Sequence, residues 1–267
     1  MDGSSAFTPS ILEIWRKREN LLPGLALIAL AAAGWAYVAY QAASMGDMGS
    51  AMGGMAMGGI EGIALFLPAW AVMMVAMMVP ATLPLILLYR HLARKRLRSA
   101  QARIGTVVLL VGYVGVWTIA GLPVYAYNAF SSAAGSLTAV LPALLLIVGG
   151  VYQFTPLKRI CHARCSSPLF FLIQNWRPGA TGGALRLGVI HGVDCLGCCA
   201  GLMVGLVALG MMNLTWMLTA AVIIFAEKTI PGSHRVAWPL GVFMIAGGVV
   251  LLAVSVLSGI EPGMESM

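Results

Sequence analysis

Residues 63–89 read IALFLPAWAVMMVAMMVPATLPLILLY, an apolar stretch without a single charged side chain. A helix needs roughly 17–25 such residues to cross the hydrocarbon core of a bilayer. The whole chain has the same character, because 60% of its 267 residues are hydrophobic and only 9% are charged. Its mean hydropathy is +0.91, whereas a soluble domain carries about 25% charged residues. The sequence therefore predicts an all-α, polytopic transmembrane helical bundle embedded in a lipid bilayer.

Further apolar stretches of comparable length lie on both sides of this one and raise the predicted number of spans to about seven. The predicted spans are 21–42, 63–89, 106–127, 136–154, 187–209, 211–226 and 237–258. They form one transmembrane domain, 21–258, between a segment 1–20 and a short tail 259–267. A loop rich in methionine and glycine, 43–62, connects the first two spans.

The basic residues indicate how the bundle is oriented. All 16 lysines and arginines lie before the first span or in the segments that follow the second, fourth and sixth spans. Because basic residues concentrate on the cytoplasmic side of a membrane, the N-terminus is predicted to be cytoplasmic and the C-terminal tail to lie outside. The net charge of +7 then reflects cytoplasmic loops and not a nucleic-acid partner. Glu227 and Lys228 end the sixth span on the cytoplasmic side, where we expect a mainly structural role.

Five cysteines fall into two groups. Cys161 and Cys165 belong to CHARC in a predicted cytoplasmic loop, and Cys195, Cys198 and Cys199 belong to HGVDCLGCC in the fifth span. Neither location is oxidising, so structural disulfides are not expected. Thiols in such a setting more often bind metal or carry out redox chemistry.

The helical period brings the polar side chains of the fifth span together. At about 100° per residue, His191, Cys195 and Cys198 share one face, and Cys199 flanks it. Imidazole and thiolate bind soft or borderline ions such as Cu(I) and Zn(II). A cysteine is also a small buried hydrophobe, but ionisable residues inside a membrane favour a functional site.

Methionines in the second span offer a second set of soft ligands. Thioethers select Cu(I), although methionine is also an adaptable packing residue. At 1.5 Å per residue, Met77 and Cys198 each lie about 17–18 Å from the cytoplasmic ends of their spans, so we expect both near the midplane. The resulting hypothesis is a metal site between spans two and five, with a path toward the cytoplasm. Its residues are Met73, Met77, Met78, His191, Cys195, Cys198, Cys199, Cys161 and Cys165.

The predicted outer loop contains five further methionines between Met45 and Met57, separated by small residues. Thioethers on a flexible chain suit the capture of Cu(I). A low-complexity linker explains the same composition, and both interpretations stay open.

Taken together, several stretches resemble a bacterial family described as predicted metal-binding integral membrane proteins. The matching stretches are WAVMMVAMMVPATLP (70–84), GVYQFTPLKRICHARCSSPLFFL (150–172), NWRPGATGGALRLGVIHGVDCLGCCAGLM (175–203), GMMNLTWM (210–217) and EKTIP (227–231). The resemblance implies a multi-span protein of the bacterial inner membrane. It carries metal roles onto the matching Met, Cys and His positions, and it supplies neither an activity nor the identity of the metal.

The favoured function is a membrane protein that binds or moves Cu(I). An alternative is an accessory or assembly subunit of a larger membrane metalloenzyme, with such a complex or a metal chaperone as partner. A third is a thiol–disulfide oxidoreductase using Cys195 and Cys198, which is less favoured because redox C-x-x-C motifs lie near a βαβ pattern. An enzyme is therefore not the favoured interpretation. Zinc stays open as the metal, since Cys and His bind it, but methionine is a poor zinc ligand.

Overall fold

The computed structural model describes residues 18–47, 60–133, 140–177, 181–210, 213–229 and 237–260. Almost all of these residues lie in helices, and none of them lies in a strand. The helices are α1 (Arg18–Asp47), α2 (Ile60–Arg96), α3 (Ser99–Ala133), α4 (Leu141–Tyr152), α5 (Pro156–Cys165), α6 (Pro168–Asn175), α7 (Gly182–Leu209), α8 (Leu214–Thr229) and α9 (Ala237–Ile260). The predicted all-α helical fold is confirmed.

Each predicted span overlaps a helix, but the helices differ in length. Five of them, α1, α2, α3, α7 and α9, are long and apolar enough to cross a membrane. Helices α4 and α5 reach that length only together and are bent by 68° where they meet. The described residues therefore contain five candidate spans, or six with this pair. Helix α8 has 16 residues, about 24 Å. Seven spans and a cytoplasmic N-terminus therefore stay predictions.

The predicted loops are partly helical. The segment between the fourth and fifth spans, expected to be a cytoplasmic loop, contains α5 and α6, and both helices pack against the bundle. Residues 43–47 and 60–62, expected to lie in the outer loop 43–62, belong to α1 and α2 instead. Residues 48–59, with most of the methionines of that loop, lie outside the described residues, as do the ends of the chain at 1–17 and 261–267.

A proline in α2 leaves a main-chain oxygen free to accept a hydrogen bond from α1. Pro80 lies inside α2 and has no N–H to donate to the main-chain oxygen of Ala76, four residues earlier. The indole N–H of Trp35 in α1 donates to that oxygen instead, at 3.1 Å. A carbonyl that would be costly to leave unpaired within a bilayer thus contributes one of the contacts between the two helices.

Helix α7 is the centre of the bundle and packs mainly against α3, α4 and α5. Its glycines allow this close packing. A Cβ atom on Gly201 would lie 2.7 Å from the main-chain oxygen of Gly149 in α4, and one on Gly188 would collide with the main-chain oxygen of Leu109 in α3. Small residues at such positions let helix backbones approach each other in membranes. The cysteines of α7 are therefore enclosed by neighbouring helices.

The bend between α4 and α5 directs α5 against α7. Thr155 is the N-cap of α5, and its hydroxyl accepts a hydrogen bond from the Lys158 main-chain N–H. Pro156 follows at the first position of the helix, where its missing N–H costs nothing. The Tyr152 hydroxyl at the end of α4 donates to the Gly197 main-chain oxygen at 2.6 Å. These contacts fix the corner beside the cysteines of α7.

Candidate metal centre

Three buried thiols from two helices converge in the bundle. The Sγ atoms of Cys165, Cys195 and Cys198 all lie within 4.8 Å of one another and could hold a metal ion. Cys165 is 7% exposed, Cys195 0% and Cys198 2%. We call these residues the three-thiol group. It joins one cysteine of CHARC to two of HGVDCLGCC, so members of the two groups of the sequence meet at one place.

The two remaining cysteines lie beside this group. The Cys199 Sγ atom is 3.4 Å from that of Cys198. Cys161 lies against Gly197, since a Cβ atom built there would come 2.6 Å from the Cys161 Sγ atom. Cys161 therefore fills space that a side chain at position 197 would take, whereas Cys199 directly adjoins the three-thiol group.

Two polar side chains from other helices contact Cys195. The Lys228 ammonium, in the last turn of α8, donates to the Cys195 Sγ atom at 2.9 Å. The Tyr113 hydroxyl of α3 lies 3.1 Å from the same atom. Neither contact follows from the sequence, in which Lys228 stands out only as a cation directly after an apolar span. Cys195 is thus the thiol of the group that the Lys228 ammonium contacts directly.

A buried polar network holds α5 against α8. Lys158 and Glu227 form an ion pair at 3.0 Å, and each side chain is 3% exposed. The Lys158 ammonium also donates to the Gln153 side-chain oxygen. His162 Nε2 lies 2.8 Å from the Glu227 main-chain oxygen. Cys165 is the last residue of α5, and Lys228 follows Glu227 in α8. The network therefore holds the Cys165 thiol and the Lys228 ammonium in position beside α7.

His191 lies one helical turn before Cys195, outside the three-thiol group. Its ring stacks on Tyr113 with 5.7 Å between ring centroids and meets the edge of Phe171 at 5.1 Å. The buried Nδ1 atom has no hydrogen-bond partner among the described residues. Asp194 faces the exposed Arg164, with 3.6 Å between Oδ1 and Nη1. His191 therefore offers a buried nitrogen that has no hydrogen-bond partner among the described residues, one helical turn from Cys195.

The predicted methionine ligands are buried in the same core. Met73, Met77 and Met78 belong to one continuous cluster of buried side chains that also contains all five cysteines. Helix α2, which carries them, packs mainly against α1 and α3, whereas α7 has α3, α4 and α5 as its main neighbours. The three-thiol group is therefore built by α5 and α7, and a role for the methionines as ligands stays a prediction.

The chemistry of the group suits a soft ion. Thiolates select Cu(I), Zn(II) and iron–sulfur clusters, and structural zinc sites take four ligands.

A family model described as a copper chaperone, PpoB2, matches residues 67–251. The chain belongs to this copper chaperone family. No curated protein and no solved structure matches it.

The match to the copper chaperone family covers every residue of the candidate centre, including the methionines of α2 and Lys228. It confirms the predicted link to copper and to metal binding. The long apolar helices support a membrane protein. The narrower resemblance to predicted metal-binding integral membrane proteins, the location in a bacterial inner membrane and the oxidation state of copper stay predictions.

Proposed function

We propose that this protein is a membrane-embedded copper chaperone that holds Cu(I) with Cys165, Cys195 and Cys198 and hands the ion to a partner. The observation that carries the proposal is the convergence of these buried thiols within 4.8 Å. Copper is the cargo, and each thiol that becomes a ligand releases its proton to water. Burial supports the proposal further, because it shields a soft ion and its thiolates from oxidants.

Access to the group is proposed from the side where α4 and α8 end. Tyr152, the last residue of α4, contacts Gly197, and Lys228, in the last turn of α8, contacts Cys195. Helix α5 ends there with Cys165 and has an exposed arginine, Arg164. In the predicted orientation this side faces the cytoplasm. A soluble thiol compound or protein on that side would exchange copper by replacing one cysteine ligand at a time.

The other predicted ligands keep a proposed auxiliary role. Met73, Met77 and Met78 supply thioethers from α2 within the same buried core, and such donors suit transient binding of Cu(I) on a path toward the thiols. The unpartnered Nδ1 atom of His191 is a further donor beside Cys195. We propose that these side chains contact the ion in transit, not in the bound state.

An accessory role in a larger membrane metalloenzyme is the second candidate, and membership of a copper chaperone family favours it over an independent transporter. A chaperone of this kind would bind copper and then a copper-requiring partner. Two experiments separate the accessory role from an independent transporter: purification from membranes after mild cross-linking in copper-replete and copper-depleted cells, and measurement of copper flux in liposomes. Copper-dependent capture of one partner supports the accessory role. Full copper flux in liposomes containing this protein alone supports a transporter.

The binding test uses the full chain in detergent under reducing conditions. Cu(I) is titrated against a chromogenic Cu(I) chelator with wild type, Cys165→Ser, Cys195→Ser and Cys198→Ser. We expect each variant to lose affinity by at least about tenfold, since a soft ligand becomes a hard one. Cys161→Ser is the matched control, because it makes the same change on α5 outside the three-thiol group, and it should retain the affinity. Wild-type protein that binds no Cu(I), or three variants that bind as wild type does, would overturn the proposal.

A further inference from the structure

The contact between Lys228 and Cys195 places a fixed positive charge beside the proposed copper site. The Nζ atom lies 2.9 Å from the Sγ atom, and the lysine is only partly exposed. The preceding residue, Glu227, forms a buried ion pair with Lys158 and so holds the end of α8 in position. Lys228 is therefore directed at the thiols by the same network that brings Cys165 to them.

The charge of the bound ion determines how strongly Lys228 stabilises the complex of the ion with the three thiolates. When three thiolates hold Cu(I) the complex is dianionic, and when the same thiolates hold Zn(II) it is monoanionic. A neighbouring cation stabilises the more negative complex more, because Coulomb energy scales with the product of the charges. Burial strengthens this difference, since a low dielectric screens charges less than water does.

We infer that Lys228 is a specificity residue that makes the three-thiol group prefer a monovalent soft cation to a divalent one. The inference rests on the proposed function, in that the group must bind metal. It adds a means of rejecting zinc, for which thiols are also good ligands. Lys228 itself does not bind the ion, because an ammonium has no lone pair to offer.

The test measures the affinity for Cu(I) and for Zn(II) at one pH in wild type, Lys228→Met and Lys228→Gln, and takes the ratio of the two. We expect the ratio of Cu(I) to Zn(II) affinity to fall by about tenfold or more in both variants. The glutamine variant keeps a hydrogen-bond donor without the charge. Retention of the wild-type ratio in Lys228→Gln would assign the effect to hydrogen bonding and would overturn the inference.

Two further variants guard against a general loss of structure. Lys228→Arg keeps the charge and should keep the ratio within a few-fold of wild type. Lys95→Met makes the same change as Lys228→Met at an exposed position of α2 and should leave both affinities unchanged. Cysteine-dependent Cu(I) binding with an unchanged ratio in Lys228→Met would defeat this inference alone. Absence of Cu(I) binding in wild type would defeat the proposed function instead.

Discussion

The Sγ atoms of Cys165 and Cys195 lie within 4.8 Å of each other, although the two residues belong to different helices and to different cysteine groups of the sequence. Cys165 reaches this position because it is the last residue of α5, which turns back against α7 at the bend after Tyr152. The proposed copper site is therefore only as stable as the contacts that hold α5 in place.

The ion pair between Lys158 and Glu227 is the first of these contacts. Glu227→Gln removes the carboxylate and leaves a buried ammonium without its counter-charge. Breaking a buried pair in this way costs about 3–5 kcal/mol, so we expect a clear fall in the unfolding temperature in detergent. Glu61→Gln makes the same change at an exposed position in the first turn of α2 and should have little effect. Equal unfolding temperatures for the two variants would show that the pair does not hold α5.

Close packing of α4 on α7 positions the corner from which α5 begins. In Gly201→Ala the new Cβ atom would meet the Gly149 main-chain oxygen at 2.7 Å, and a main-chain atom cannot give way as a side chain can. Overpacking of this kind costs about 1–3 kcal/mol. Gly115→Ala on α3 is the matched control, because a Cβ atom there meets nothing within 4 Å. We expect Gly201→Ala to unfold at a lower temperature than Gly115→Ala. Equal unfolding temperatures for the two variants would refute close packing where α4 crosses α7.

The sequence was sufficient to predict most of the helices and one face of the site. Long apolar stretches predict membrane helices whatever their neighbours are, and the helical period places Cys195 and Cys198 on one side of α7 without knowledge of the fold. The convergence of Cys165 depends on a 68° bend between two helices. No local pattern in the sequence encodes the direction of that bend, which is why α5 was expected to be part of a loop.

The contact of Lys228 with Cys195 does not follow from the sequence for a related reason. Its contact with Cys195 depends on where α8 ends relative to the middle of α7, which is a matter of helix length and packing. Sequence alone suggested a structural role for the Glu227 and Lys228 pair, and this holds for Glu227, which binds Lys158. The two neighbours point to different partners because successive residues of a helix lie about 100° apart.

The Trp35 hydrogen bond gives a prediction for the α1–α2 contact. Trp35→Phe removes the donor to the Ala76 main-chain oxygen, which has no helical partner because Pro80 lacks an N–H. An unsatisfied buried acceptor costs about 1–3 kcal/mol, so we expect a lower unfolding temperature and faster proteolysis near α1. Tyr37→Phe alters another aromatic residue of α1 whose hydroxyl makes only an exposed contact, and it should behave as wild type. The reverse order of stability would contradict this role of Trp35.

X-ray absorption at the copper K-edge of the Cu(I)-loaded protein tests the three-thiol site, because it counts the ligands around the ion. We expect a first shell of sulfur alone in wild type, one sulfur fewer in Cys165→Ser, and an unchanged shell in the control Cys161→Ser. The loss of one sulfur in Cys165→Ser would establish that α5 and α7 share the ion. The same number of sulfur ligands in wild type and Cys165→Ser, or a first shell of nitrogen and oxygen, would contradict the three-thiol copper site.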